Sequence, residues 1–422
     1  MKNILIKSAQ IINEGSPFHG KKTNVQIKNG KIVYIGDNTP KADKTIEAKG
    51  MYLSAGWFDM RAVFADPGSE HKEDLRSGVA TAAAGGFTGV AVLPNNHPVT
   101  QGKNDVKYLQ SINTESLTQI YPIAAVTLGC KGEELTEMID LHTAGAAAFS
   151  DGLNPIWHTD ILLKSLQYLQ KFNGLLINKP EDVHLSMFGV MNEGLNSTRL
   201  GMKGIPTLAE ELIVQRDLEL LAYAGGRLHF TNISSPKSIN LIKEAKKKGL
   251  QVTCDMAAYQ TDFSDDDLMG FDANYKVSPP FRTEKDNKAL KKGLKEGVID
   301  ILVSNHNPQD EDDKKLEFDL AEFGITSLQT VAHNIATLSA DVDMAELIKK
   351  VTSAPREVLG LANPLISEGE EANVTLFDPN HEWTLDGKSN HSKSENSPYW
   401  KQKIKGKAIA TFNNGISYID KI

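Results

Sequence analysis

Cysteine is nearly absent. Cys130 and Cys254 are the whole complement of a 422-residue chain, which excludes a disulfide framework and a zinc knuckle. There is no long apolar run, so no membrane span is expected. With no signal-like N-terminus either, the chain reads as cytoplasmic. A surplus of basic charge is also missing. The net charge of -8 and the pI near 5.8 argue against a nucleic-acid partner. His71, His97, His158 and His184 are scattered and show no metal-ligand spacing among themselves, so turn or solvent-facing roles are expected for them. What is present is 40% hydrophobic residues, enough for a sizeable core. The length suits one large α/β barrel plus a small accessory domain.

The two ends share a character. Ile4-Leu5-Ile6, Asn24 to Ile27 and Lys31 to Ile35 are short β-like runs, and Lys28-Asn29-Gly30 is a hairpin signal. Asn373 to Asp378 and Ala408 to Phe412 repeat the pattern, the latter running into Asn413-Asn414-Gly415. Both ends are therefore expected to build one β-sandwich domain, from 1–53 and 363–422. Between them, over 54–362, apolar runs such as Gly89 to Leu93 and Leu250 to Thr253 alternate with helix-like stretches such as Leu241 to Lys248. That rhythm predicts a parallel (β/α)8 barrel. The charged run Gln309 to Lys315 reads as a solvated loop, and the Ser-, Asn- and Lys-rich stretch Gly387 to Ser397 as a mobile one.

Several motifs occur in order. They are Gly56-Trp57-Phe58-Asp59-Met60-Arg61-Ala62-Val63-Phe64-Ala65-Asp66-Pro67-Gly68, Leu93-Pro94-Asn95-Asn96-His97-Pro98, Leu200 to Pro206, Lys276-Val277-Ser278-Pro279-Pro280-Phe281-Arg282 and Ser392 to Pro398. Over nearly the whole chain these resemble the dihydroorotase family of the amidohydrolase superfamily. The resemblance implies a metal site at the barrel mouth and a general base. It also implies where they fall here. The ligand positions hold Arg61, Val63, Asp151, Lys179, Asn232 and Asn305, and Asn305 stands at the general-base position as well. The substrate-pocket positions hold Ala65, Asn95, Ser278 and Gln309. Glu181 and Asp182 match the family and read as supporting groups.

The chemistry has left this frame. Residues i and i+2 of a strand share a face, so Arg61 and Val63 are expected to point inward together. A guanidinium carries no lone pair to give a metal, and valine has none at all. Among the ligand positions only Asp151 keeps a metal-binding type. Without bound zinc, water keeps close to its bulk pKa, and the Asn305 amide is no useful base. No cofactor is therefore expected, or zinc if the family activity persists.

Asp151 is expected to ion-pair with Arg61 or Lys179. His306 reads as a satisfied core group rather than a catalytic one. Lys179 as an activated amine is a minor option. The expected function is a dihydroorotase-like protein of pyrimidine biosynthesis, metal-free and catalytically inactive, acting as a structural or regulatory partner. By resemblance that partner is aspartate carbamoyltransferase, and a homodimer is the default assembly. The alternatives are an active zinc-dependent dihydroorotase or related cyclic-amide hydrolase with a rebuilt site, and an anion-binding sensor using Arg61 and Lys179.

Overall fold

Eight parallel strands follow one another around the centre of the computed structural model, which describes residues 3–420. In chain order they are Trp57–Ala62, Phe87–Val92, Gln119–Ala124, Ala148–Phe149, Leu176–Asn178, Leu228–Phe230, Val252–Ala257 and Ile301–Val303. Each pairs with its sequence neighbour. On the closing side the Val63 amide donates to the His306 carbonyl at 2.8 Å, so the ring is nearly shut. Strict sequential order with helical crossovers is what a parallel barrel requires.

The helices form where local chemistry favours them. Leu75–Ala84 begins at a reciprocal cap. The Asp74 side chain accepts from the Ser77 amide, and the Ser77 hydroxyl accepts from the Asp74 amide. Pro236–Lys247 starts on Ser235, carries Pro236 in its first turn and ends on Lys246 and Lys247, which suit the negative end of the helix dipole. Its buried residues Ile239, Ile242 and Ala245 recur every third position and face the barrel. An apolar layer including Trp57, Phe87, Phe149 and Phe230 fills the space between strands and helices. A second layer, including Phe58, Met60, Ile123, Ile177 and Val303, forms a separate apolar cluster. Each such buried side chain contributes about 1.5–3 kcal/mol relative to exposure.

The two termini meet in one curled sheet. Its strand order is Ile416–Ile419, Lys403–Asn413, Val374–Thr384, Tyr52–Ala55, Ile4–Ile12, Lys22–Lys28 and Lys31–Gly36, with Lys44–Glu47 also paired to Ile4–Ile12. It has its own core, in which Ile6, Ile11, Val25, Leu376 and Phe412 are fully buried. Both hairpin signals are realised as turns. Asn29 and Gly30 lie at φ 52° and 81°, and Asn414 and Gly415 at φ 51° and 71°. Positive φ at both central residues is what the tight hairpin turn demands, and asparagine and glycine tolerate it. Of the terminal domain expected from the sequence, Met1, Lys2, Lys421 and Ile422 lie outside the described residues. No helix among the described residues is long and apolar enough to cross a membrane.

The two segments expected to be loose are tied down. Within the charged run, Asp310 caps the short helix Glu311–Lys314, and the Lys314 amine donates to the carbonyls of Glu322 and Gly324. Burial, then the nearby Lys276, lowers the Lys314 pKa to about 7. In the serine-rich stretch, the Ser392 hydroxyl bonds Glu73, Ser394 bonds the Lys72 carbonyl, and Lys393 pairs with Asp74 at 2.6 Å. Local composition is that of a loop, but these polar side chains find partners on the barrel mouth that are more than 300 residues away in sequence.

Candidate functional site

Every ligand position singled out by the motif match stands at the carboxyl end of a barrel strand. Arg61 lies in the first strand and Val63 just beyond it. Asp151, Lys179, Asn232 and Asn305 follow the fourth, fifth, sixth and eighth strands by one or two residues. That end of a parallel barrel is where its functional groups gather. A cavity of about 710 Å³ opens there. Arg61, Lys179, Tyr259, Ser278, Asn305 and Gln309 are among the residues that line it.

Arg61 ties the mouth together. Its Nε donates to Asn305 Oδ1 at 2.9 Å, and its Nη2 to the Gly152 carbonyl at 3.3 Å. Asn305 Nδ2 passes the chain on to the Tyr259 hydroxyl at 2.8 Å and to the Ser278 carbonyl at 3.1 Å. Asn305 sits at φ 51°, in the left-handed region that asparagine tolerates better than most residues. Burial lowers the Arg61 pKa, opposed by the charges of Asp255, Tyr259 and Asp59. Its Nη1 is buried with no hydrogen-bond partner. Val63 does not line the cavity; it belongs to the second apolar cluster with Met60, Leu93 and Ile177. The first strand shifts register between Asp59 and Ala62, and that irregularity breaks the simple alternation expected of Arg61 and Val63.

Asp151 does not pair with either cation. One carboxylate oxygen accepts from the amides of Val126 at 3.0 Å and Thr127 at 2.9 Å, and the other from the Thr127 hydroxyl at 2.6 Å. Backbone amides of the neighbouring loop have taken the place expected for Arg61 or Lys179. Burial still raises its pKa to about 6 against those hydrogen bonds. Lys179 pairs instead with Glu181 at 2.6 Å. Burial pushes the Glu181 carboxyl up, but Lys179 pulls it down further, and the net shift is downward. Both polar atoms of the Asn232 side chain are buried without partners, beside a hollow of about 20 Å³ that Lys179 and Arg282 also line.

Of the substrate-pocket positions, Ser278 and Gln309 face the cavity while Ala65 and Asn95 do not. Asn95 is spent on the loop after the fourth strand, donating to the Asp151 carbonyl and accepting from the Leu153 amide. His306 is engaged at both ring nitrogens. Nδ1 accepts from the Ser327 amide at 3.1 Å, which places the proton on Nε2, facing Glu73 at 3.4 Å. Sequence reasoning missed Tyr259 and the segment Asp319–Ile325, which lines the cavity from the far side. Tyr259 stands two residues past the seventh strand, Val252–Ala257, the same offset that finds Asp151, Asn232 and Asn305. Burial raises its pKa, so its hydroxyl keeps its proton.

Zinc needs three or more nitrogen, sulfur or carboxylate donors. These positions offer a guanidinium, an isopropyl group, an ammonium, two carboxamides and one carboxylate already wrapped by Val126 and Thr127. Among the described residues, no three His, Cys, Asp or Glu side chains converge as metal ligands would. The residues present do not fit the metal.

A family model described as dihydro-orotase-like matches residues 50–238. A dihydroorotase of Syntrophus aciditrophicus (strain SB) is 35% identical over 418 residues, covering 98% of each chain. One of Citrifermentans bemidjiense is 36% identical over 420 residues, again 98% of each. Among solved structures, the L-hydantoinase (dihydropyrimidinase) from Arthrobacter aurescens superimposes with a TM-score of 0.84 at 20% identity, over 100% of this chain and 97% of that one. That likeness shows a common fold.

Proposed function

Because the chain belongs to the dihydroorotase-like family, we propose that it is a protein of pyrimidine metabolism that keeps the family's barrel but does not run zinc-dependent ring hydrolysis. The observation that carries this reading is the donor set at the mouth. Arg61 occupies the site with a fixed positive charge, and its Nε is held by Asn305 Oδ1 at 2.9 Å, where a general base is required. An arginine cannot bind a cation, and an amide cannot take a proton from water. On this reading the protein works as a structural or regulatory partner, and aspartate carbamoyltransferase is the partner to test first.

A second reading is an active zinc-dependent dihydroorotase with a rebuilt site. Similarity of 35% over 98% of both chains to a protein named dihydroorotase favours it, and on the comparisons alone it is the stronger of the two. The donor chemistry favours the first. Elemental analysis of protein purified without chelator, followed by a dihydroorotate hydrolysis assay, separates them. Zinc far below one per chain with no hydrolysis supports the first reading. Stoichiometric zinc with turnover overturns it.

A further inference from the structure

The end of the barrel away from the mouth carries a second cavity, of about 470 Å³. One side of it is built where strands begin. Arg227 directly precedes the strand Leu228–Phe230, Val252 opens Val252–Ala257, and Asp300 directly precedes Ile301–Val303. Residues of the helices Met344–Lys349 and Ser353–Leu359 also line it. The reacting groups of a parallel barrel gather at the opposite end, so a cavity here is suited to binding and not to chemistry.

Some of its charges are settled from within. Asp300 takes Lys246 at 2.6 Å, and Lys349 takes Glu14 at 3.1 Å. Others are not. Among the described residues Arg227, Lys350, Glu346 and Glu357 have no opposite charge within ion-pair distance. Arg227 is part-exposed. Its Nη1 donates to the Asn173 carbonyl at 3.1 Å and its Nη2 to the Val358 carbonyl at 2.6 Å, which fixes the guanidinium plane. Its Nε has no partner among the described residues and is not fully buried. Burial lowers the Arg227 pKa, and no charged group opposes that shift. It is a held cation without a counter-charge. Lys350 is 6% exposed, donates to the Ile299 carbonyl at 2.7 Å, and adds positive field from the cavity wall.

The two unpaired acids stand on the helix side, and both are exposed. Glu14 first, and then Glu346 and Glu357, raise the Lys349 pKa, so these acids gather around that one side chain. Glu357 accepts from the Asn363 side chain at 3.2 Å. The cavity therefore presents a positive station at Arg227 and a negative one at Glu346 and Glu357. A dianion drawn to Arg227 would be repelled by the acids, and a bare cation would meet the reverse. A molecule carrying both signs satisfies both stations. The planar fork of arginine fits a carboxylate. Leu250, Val252, Ala354 and Val358 supply apolar wall for an aliphatic chain, and the volume suffices for a small molecule.

We propose that this cavity binds an aliphatic α-amino acid, with its carboxylate on Arg227 and its ammonium facing Glu346 and Glu357. It does so whether or not the mouth holds zinc. The test is calorimetric titration of the full-length protein with L-leucine, with isocaproate (leucine without its amine), with isoamylamine (leucine without its carboxylate) and with inorganic phosphate. Leucine should bind roughly tenfold or more tighter than either fragment, each of which lacks one charge-assisted contact. Phosphate should bind more weakly than leucine. Arg227→Gln should weaken leucine roughly tenfold or more and leave isoamylamine unchanged. Because Arg227 also holds two carbonyls, that variant can fail to fold. The companion is Glu346→Gln combined with Glu357→Gln, both on the surface. It should weaken leucine roughly threefold or more without weakening isocaproate, while the thermal transition stays where it is.

No binding of leucine, either fragment or phosphate binding as tightly as leucine, or leucine affinity unchanged in the doubly substituted protein overturns the proposal.

Discussion

Two buried arginines stand at the barrel mouth, each 2% exposed, and they are treated very differently. Arg282 donates from Nε to the Ser234 hydroxyl, and from Nη1 to Asn192 Oδ1 and the Ile205 carbonyl. The charges of Glu210, Asp286, Glu181 and Glu211 all favour its cation. Around it Glu210 collects the amides of Ser234 and Ser235 and the Ser234 hydroxyl, and among the described residues Arg282 leaves no fully buried nitrogen without a partner. Arg61 has two neutral partners, two distant carboxylates and one orphaned nitrogen. A buried charge whose needs are met from within belongs to the scaffold. One left partly unmet carries a desolvation cost that nothing in the chain offsets.

The sharpest way to break this comparison is to truncate both cations. Arg282→Met should cost about 3–5 kcal/mol in urea unfolding, since it strips several hydrogen bonds and leaves neighbouring carboxylates uncompensated. Arg61→Met should cost less, about 1–2 kcal/mol, because two bonds to neutral oxygens are lost and an unsatisfied donor goes with them. Equal costs would mean that Arg61 is as structural as Arg282.

A smaller effect lies in pH dependence. Burial raises the Asp59 pKa to about 7 and the Asp151 pKa to about 6, both from an ordinary value of 3.8. Raised carboxyls stabilise the fold when protonated. Their contribution is full below about pH 4 and is lost as pH rises through about 6 for Asp151 and about 7 for Asp59. A tenfold difference in proton affinity between folded and unfolded chain corresponds to about 1.4 kcal/mol. Asp59→Asn should therefore flatten the fall in stability between about pH 4 and 7, read from urea midpoints across that range. An unchanged slope would show that Asp59 titrates normally in the fold.

The smallest expected effect sharpens the charge balance. Glu181→Gln removes the charge opposite Lys179 but keeps an oxygen that can accept from its ammonium, and should cost about 1 kcal/mol in urea unfolding at neutral pH. The Glu181 carboxyl is held low, so its contribution to stability is present above its unfolded pKa and fades as pH falls. An unchanged urea midpoint in Glu181→Gln would show that the pair with Lys179 adds nothing to stability.

Much of the fold was legible because its signals are local. Alternating strands, Asn-Gly turns and the Asp74 and Ser235 caps are decided by residues within a few positions of one another. The site was legible in part, because strand ends in a parallel barrel converge wherever they lie in the sequence. Arg61, Lys179 and Asn305 do share one cavity. Partner choice was not legible. Asp151 took the Thr127 loop rather than a cation, Lys179 took Glu181, and the serine-rich stretch expected to be mobile is stitched to Glu73 and Lys72.

The amino-acid sequence by itself determined which chemical types stand at the barrel mouth, a guanidinium at position 61 and an amide at position 305 among them. No fold can change what those groups are able to donate or accept. Only the tertiary structure decided which of them are satisfied. Arg61 meets Asn305 across 244 residues of chain, and at hydrogen-bond range a difference of about one ångström decides whether a donor has a partner. Such distances are set by the packing of the whole barrel.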